Sequence, residues 1–391
     1  MIIENLIQEK NDYLRHWINV DSHLIVSTSS FEYGMSDKTI IQYVETIAMS
    51  IRDPGRGTVC FDVIPEGMPF GTINSINRIV KQLIELFSCD ISQFKIVFGG
   101  SHHYENYNFY LESVRRFNWL PIRVIFVNNY ELLFRARIEQ NPDIYQRINQ
   151  SPKIKNKKFL CYNRNVKAHR LYITAMLMSK NLIDKGFFSM YMRGNREHGL
   201  TEDTSYVFNM LEHYFPRIWQ HAADVLNKNY DKFPITLSLK SDNLQCTHEI
   251  TEEDFEHYND AYFGIITETK YFHDNPTNLS LLKTDLSLDG YLFSEKTYKF
   301  IAGKLPFIMV GVPGSLKALR DLGYRTFYPY IDETYDTIQD DEERMIAIIK
   351  EVERLCGLDD AKWLIIQDRL QGIVEHNFNV LKNAHPKNYT P

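Results

Sequence analysis

The chain has 391 residues, of which 44% are hydrophobic and 24% charged, and its formal net charge is −6. This composition excludes an intrinsically disordered chain and is that of a globular protein long enough for two domains. It also disfavours a dedicated binder of duplex DNA, because such proteins carry an excess of basic residues.

The five cysteines and the N-terminal segment help to predict the cellular compartment of the protein. The cysteines are scattered and form no Cys-x-x-Cys pair, so they indicate neither a disulfide framework nor a zinc site. The N-terminal segment is too charged for a signal peptide, and no apolar run approaches the roughly 20 residues that cross a bilayer. We therefore expect a soluble cytoplasmic protein without a membrane partner.

The first 130 residues alternate between strand-like and helix-like patterns, which predicts a parallel, doubly wound sheet. Polar residues follow the predicted strands, and three of them have a carboxylate or imidazole group that could act as a general base: Glu66, Glu32 and His102. Glu66 leads because the Pro-Glu-Gly turn that carries it directly follows a strand. The predicted strands are residues 24–28, 58–63, 95–98 and 122–127, and the predicted helices are residues 36–51, 72–87 and 106–117.

A second α/β series follows residues 142–158, a polar, proline-containing stretch that predicts a connection between domains. Its basic part, residues 153–158, has the composition of a solvated connector. We predict one α/β domain at residues 1–150, a second at residues 151–357 and a closing helical segment at residues 358–391. The predicted strands are residues 159–162, 187–191, 235–237, 264–267, 305–310 and 324–327, and the predicted helices are residues 167–184, 294–303, 315–322, 342–356 and 360–381.

Residues 291–315 are the most informative stretch of the chain. A Ser294-Glu295-Lys296 helix start follows an apolar segment and precedes an apolar strand and a Gly/Pro turn at residues 311–314. The N-terminus of a helix favours phosphate, Lys296 or Lys299 would neutralise its charge, and Glu295 would accept hydrogen bonds from sugar hydroxyls. The alternative is an ordinary capped helix before a core strand, since Ser at the N-cap is common. For the Gly/Pro turn we favour a plain turn and N-cap role.

The pattern Phe-Ser-Glu-Lys-Thr, followed by Lys-Leu-Pro-Phe-Ile-Met-Val-Gly, resembles the donor-site motif of α1,3-fucosyltransferase-like and exostosin-like glycosyltransferases. It is also similar to the C-terminal region of uncharacterised, mostly viral proteins described as glycosyltransferases. The resemblance covers roughly the C-terminal half and implies the GT-B architecture, in which two Rossmann-like doubly wound domains face a cleft. The residues then expected to bind the donor are Arg164, Arg170, Glu268, Ser294, Glu295, Lys296 and Lys299. The resemblance further implies that residues 151–357 form the nucleotide-sugar domain and residues 1–150 the acceptor-side domain, to which the helical segment at 358–391 returns. In an inverting sugar transfer, Glu66, Glu32 or His102 would then deprotonate the acceptor hydroxyl, and a viral protein would act in the host cytoplasm.

Two of these residues have alternative interpretations. Arg164 follows a predicted strand, where it would contact the diphosphate, but the same position suits a surface turn. Glu268 ends another predicted strand, where its carboxylate would bind ribose or the donor sugar, or would cap a helix. The residues alone do not decide between these roles.

The absence of several sequence motifs disfavours some classes of enzyme. The sequence has no Asp-x-Asp, no P-loop, no Gly-x-Gly-x-x-Gly and no Gly-x-Ser-x-Gly. Together with the resemblance, these absences predict a metal-independent glycosyltransferase without a cofactor, which moves a hexose or pentose from a nucleotide-diphosphate sugar to a hydroxyl of a glycan, a protein or a modified DNA base. Two alternatives remain: a non-catalytic two-domain protein that binds a nucleotide or sugar, and a structural α/β protein whose Glu-Lys pair only begins a helix.

Overall fold

The computed structural model describes residues 23–27, 35–51, 58–63, 70–99, 103–127, 129–163, 166–191, 204–237, 250–272, 293–384 and 387–388. These residues divide into two compact units. The first is drawn from Met1–Leu133 and His385–Pro391, and the second from Phe134–Leu281 and Phe293–Ala384. The domain boundary predicted at residue 150 falls inside the second unit.

The described part of the first unit is a sheet with helices between its parallel strands. The strand order is β1-β2-β3-β4-β9, in which the first four strands are parallel and β9 pairs antiparallel with β4. The elements are β1 (His23–Ser27), α1 (Asp37–Ile51), β2 (Thr58–Val63), α2 (Phe70–Phe87), β3 (Phe94–Gly99), α3 (His103–Phe117), β4 (Arg123–Val127) and β9 (Lys387–Asn388).

The core of this unit lies between α1, α2 and one face of the sheet. The helices contribute apolar residues such as Ile40, Val44 and Ile79, and β2 contributes Val59 and Phe61 at alternate positions. Because β1 to β4 follow chain order, right-handed crossovers place the connecting helices on one face. Within the described ranges this sheet is therefore singly wound, and the reversal of strand order that we predicted for it is not found there.

The second unit has a four-stranded parallel sheet of order β6-β5-β7-β8. Most of α4 (Asn129–Gln140) also belongs to this unit. The remaining elements are α5 (Pro142–Arg147), β5 (Lys157–Asn163), α6 (Ala168–Ser179), β6 (Gly186–Met190), α7 (Thr204–Tyr214), α8 (Trp219–Lys228), α9 (Glu252–Asn259), β7 (Ala261–Thr267), α10 (Glu295–Ala302), β8 (Phe307–Val310), α11 (Ser315–Asp321), α12 (Asp341–Cys356) and α13 (Asp360–Lys382).

The strand order of the second sheet reverses between β5 and β7. The crossover through α6 runs in one direction along the sheet and the crossover through α10 in the other, so the two helices cover opposite faces. Helix α12 contacts α6 and β5, whereas α10 contacts β7. A Cβ at Gly264 would lie 2.1 Å from Cε1 of Phe300, so glycine allows α10 to pack closely on β7. This sheet is doubly wound, as predicted.

Two segments of this unit that were predicted to be strands do not form regular strands. Residues 324–327 are extended but pair with a side chain: Arg325 N donates to Oδ1 of Asn377 at 2.7 Å, and Asn377 Nδ2 donates to the Arg325 carbonyl at 2.8 Å. The burial of Tyr324 explains the apolar pattern there. Residues 235–237 form only a single antiparallel bridge, from Ile235 to Met190.

The stretch predicted to connect the domains is ordered. Residues 142–147 form α5, and the side chain of Lys155 is buried, with Nζ 2.9 Å from the Asn259 carbonyl oxygen. The prediction of a solvated connector is therefore wrong at Lys155. None of the helices that the structure describes combines the length and apolar composition needed to cross a membrane.

Candidate functional site

The candidate site lies at the carboxyl edge of the second sheet, where the strand order reverses. Ligands of open α/β sheets bind outside the carboxyl ends of the strands at such a reversal. Here β5 ends at Asn163 and β7 ends at Thr267, and both side chains are buried. The Thr267 hydroxyl donates to Oδ1 of Asn163 at 2.5 Å. This hydrogen bond ties the two strand ends together and fixes the floor of the site.

The first turn of α6 brings a histidine and an arginine to the end of β7. Nη2 of Arg170 donates to the Thr267 carbonyl at 3.0 Å, and Nε2 of His169 lies 2.9 Å from the Glu268 carbonyl oxygen. Burial lowers the pKa of His169 well below its usual range, and the charges of Arg170 and Lys167 lower it further. His169 is therefore neutral near pH 7, with its hydrogen on Nε2, and the cation at this position is Arg170.

Glu268, the residue that follows β7, caps the start of α10. Its Oε1 accepts hydrogen bonds from Ser294 N at 3.1 Å and from the Thr297 hydroxyl at 2.5 Å, and its Oε2 accepts from Thr269 N at 3.3 Å. The residue is only 1% exposed. Burial raises the pKa of Glu268, while the charge of Lys296 and the hydrogen bonds from Ser294 and Thr297 act to lower it. The carboxylate has the helix-capping role that the sequence left open as the alternative.

The Ser-Glu-Lys motif begins α10, as predicted. Ser294 is the N-cap residue, and its hydroxyl oxygen accepts from Lys296 N at 3.3 Å. Nζ of Lys296 lies 3.0 Å from Oε1 of Glu295, and the two side chains are 15% and 10% exposed. The structure thus gathers Arg170, Glu268 and the whole motif around the carboxyl ends of β5 and β7.

Lys299, one turn further along α10, faces a different set of partners. Its Nζ lies 2.9 Å from Oδ2 of Asp254 and 6.0 Å from the ring centroid of Tyr162. The Tyr162 hydroxyl lies 2.7 Å from Nδ1 of His257. Sequence reasoning missed Asp254, Tyr162 and His257. The one local signal among them is the capping box that Asp254 forms with Thr251, the N-cap residue of α9. Lys299 therefore contributes to the packing of α9 on α10.

The Gly/Pro turn at residues 311–314 is closed by an acidic side chain from elsewhere in the unit. Leu316 N and Lys317 N donate to the two carboxylate oxygens of Asp336, at 2.9 and 3.1 Å. Gly314 N donates to the Asp336 carbonyl at 2.7 Å, and Gly314 has φ +84°. Burial raises the pKa of Asp336, and these N–H groups act to lower it. Because a carboxylate of the chain fills the start of α11, the geometry supports the turn role.

The remaining predicted residues fall outside the described ranges. They are Glu66, Glu32 and His102, the candidate bases, and Arg164, the candidate diphosphate contact. Among the described residues, no group of three or more His, Cys, Asp or Glu side chains is arranged to hold a metal ion.

Comparisons with known proteins leave the family undecided. A scan against protein-family models, a search of curated proteins and a search of solved structures each found no match. The similarity to fucosyltransferase-like and exostosin-like enzymes therefore stays a prediction that depends on the motif at residues 291–315.

Proposed function

We propose that this chain is a glycosyltransferase of the GT-B type, whose second unit binds a nucleotide-diphosphate sugar. The supporting observation is the reversal of strand order between β5 and β7, with Arg170 and Lys296 at the carboxyl ends of these strands. Open α/β sheets bind phosphorylated ligands at this position. The resemblance of residues 291–315 to a donor-site motif supplies the class of ligand.

Lys296 is the described residue best suited to meet the diphosphate. Its Nζ lies 3.0 Å from one described partner, the carboxylate of the neighbouring Glu295. A diphosphate with two or more negative charges would compete with that carboxylate. Arg170 is almost fully buried beside the same strand end and adds a fixed positive charge. Arg164, in the segment between β5 and α6, is the proposed third cation.

Glu268, the acidic residue at this edge, would hold the start of α10 in position. Glu268 holds the backbone of Ser294 and the hydroxyl of Thr297, and thereby sets the start of α10. The base that removes the proton of the acceptor hydroxyl is expected at Glu66, with Glu32 and His102 as the other candidates. Arg and Lys would then stabilise the charge that develops on the departing nucleoside diphosphate.

A thermal-shift screen of the full chain tests donor binding. Native-state ligands raise the unfolding midpoint by mass action, so UDP, GDP, CMP and dTDP and their sugars are compared, with and without EDTA. We expect one nucleotide class to raise the midpoint with EDTA present, and Lys296→Met to lose most of that rise. Lys317→Met, at an exposed lysine of α11, serves as the control and should keep it. If Lys296→Met kept the full rise in the unfolding midpoint, the proposed donor site would be wrong.

The second candidate is a binding protein without catalysis. It is favoured by one observation: Glu268, the carboxylate at the end of β7, is buried and hydrogen-bonded through both oxygens, and so is unsuited to act as a base. Release of free sugar and transfer to glycan, protein and oligonucleotide acceptors would be followed for the wild type and for Glu66→Gln. Binding without any turnover in the wild type would favour this candidate. Strong salt dependence of oligonucleotide binding would identify DNA as the acceptor.

A further inference from the structure

A small cavity lies at the opposite, amino edge of the second sheet. Its volume is about 20 Å³, which is room for one water-sized ligand. Two lysines line it, Lys155 before β5 and Lys304 before β8, together with Asn149, Ser151 and Tyr262. Ser151 is exposed, so the cavity reaches the solvent side of the unit.

Lys155 carries a buried ammonium group without a carboxylate contact among the described residues. The residue is 7% exposed, and its Nζ donates to Oδ1 of Asn149 and to the Asn259 carbonyl, the latter at 2.9 Å. An ammonium has three hydrogens to donate, and the described residues accept two of them. Burial lowers the pKa of Lys155 to about 7; the charge of Lys153 also lowers it, and that of Asp260 acts to raise it.

Lys304 adds a second buried ammonium from the loop that follows α10. It is 8% exposed, and its φ of +48° lies in the left-handed region that favours glycine at this position of a helix end. Its Nζ lies 3.0 Å from Oε1 of Glu375 and 4.7 Å from the ring centroid of Phe378. Among the described residues, the two lysines that line the cavity therefore have one contacting carboxylate between them, that of Glu375.

We propose that this cavity binds a single halide ion, chloride in the cell, as the counter-ion of Lys155 and Lys304. An unpaired buried ammonium is unfavourable, and a neighbouring anion favours its charged form. The volume is that of one water-sized occupant and so suits a monatomic anion. Glu375 repels an anion, so the site is expected to be weak and to fill only at the chloride concentrations of a cell or buffer. A bound water is the competing occupant, since it offers an acceptor without a charge.

Bromide replacement tests the occupant directly in the wild-type chain. Crystals grown or soaked in sodium bromide would be examined for anomalous scattering. We expect a bromide peak within about 3.5 Å of Nζ of Lys155, at the usual reach of a charged contact. A peak at other sites, with a water in this cavity, would overturn the proposal.

A stability measurement tests the same site in solution. The unfolding midpoint of the full chain would be compared in chloride and in gluconate at equal ionic strength. We expect chloride to raise it by about 2–4 °C. Lys155→Met should lose this difference, while Lys153→Met, which removes the same charge from an exposed neighbour, should keep it. An equal chloride effect in both variants would contradict the proposal, and the bromide experiment decides the question if Lys155→Met fails to fold.

Discussion

The two edges of the second sheet differ in the partners that they provide for buried charged groups. At the carboxyl edge the carboxylates of Glu268 and Asp336 are buried, and each accepts several hydrogen bonds from the start of a helix. At the amino edge the ammonium of Lys155 is as deeply buried, but its described partners are neutral oxygen atoms. At both edges burial displaces the pKa towards the neutral form, but hydrogen bonds oppose this for Glu268 and Asp336, whereas the charge of Lys153 adds to it for Lys155.

The comparison teaches that a helix start in this unit is not by itself an anion site. Helices α10 and α11 both begin at the edge where phosphate would bind, and the chain already supplies a carboxylate to each. Donor binding then depends on the side chains of Arg170 and Lys296, whereas the amino edge retains a cation to which an external anion could bind. The predictions below test each half of this contrast.

The largest effect is expected from Glu268→Ala. This change leaves Ser294 N and the Thr297 hydroxyl buried without their acceptor and opens a cavity, so we expect the free energy of unfolding to fall by about 3 kcal/mol. Urea unfolding measures it. Glu343→Ala, at an exposed position of α12, is the control and should change stability by less than about 0.5 kcal/mol. A comparably small effect at Glu268 would show that the cap contributes little.

A smaller loss is expected from Asp336→Ala. The variant lacks the acceptor for Leu316 N and Lys317 N, and loss of a helix cap costs about 1–2 kcal/mol. Asp321→Ala, at the exposed end of the same helix, removes an equal charge and should have little effect. Equal denaturation midpoints for the two variants would argue against a capping role for Asp336.

The pH dependence of stability tests the amino edge. The pKa of Lys155 is about 7 in the folded chain and 10.5 for an ordinary lysine, so between these values the unfolded chain binds the extra proton. The free energy of unfolding should therefore rise with pH from about 7 towards 10.5. In gluconate we expect the rise from pH 7 to pH 9 to be about 1–2 kcal/mol smaller in Lys155→Met than in the wild type. Identical slopes would show that Lys155 stays charged.

The smallest effect concerns the backbone at Lys304. Both Lys304→Gly and Lys304→Ala remove the contact with Glu375, but only glycine adopts the positive φ of this position without strain. We expect the glycine variant to be more stable than the alanine variant by about 1 kcal/mol in urea unfolding. The reverse order would mean that the left-handed conformation is not kept in solution.

Local patterns predicted the elements of the second unit well. Residues 315–322 were expected to be helical and α11 spans Ser315–Asp321; residues 305–310 were expected to be a strand and β8 spans Phe307–Val310. Both depend on periodicity and on turn residues within a few positions. The N-cap of α10 at Ser294 also followed from these local signals. The doubly wound second sheet was expected from the GT-B resemblance, and the same expectation was not met in the described part of the first sheet.

Contacts between residues that lie far apart in the sequence could not be predicted from local patterns. Glu268 accepts a hydrogen bond from Ser294, the N-cap of α10, which lies 26 positions later. Asp336 accepts from Leu316, 20 positions earlier, and Asn377 accepts from the backbone of Arg325, 52 positions earlier. Lys155 belongs to a basic, polar stretch and is nonetheless buried by packing against α9 and β7. Composition indicates an exposed lysine there, and only the folded unit shows the contrary.

Hydrogen exchange with a nucleoside diphosphate is the most direct test of the proposed donor site. The full chain would be measured alone and with the nucleotide that gives the largest thermal shift. Binding at the reversal of strand order predicts added protection at residues 166–170 and 293–297, with little change at the amino edge around Lys155. Protection confined to other segments, or none at saturating nucleotide, would contradict a donor site at the carboxyl edge of the second unit.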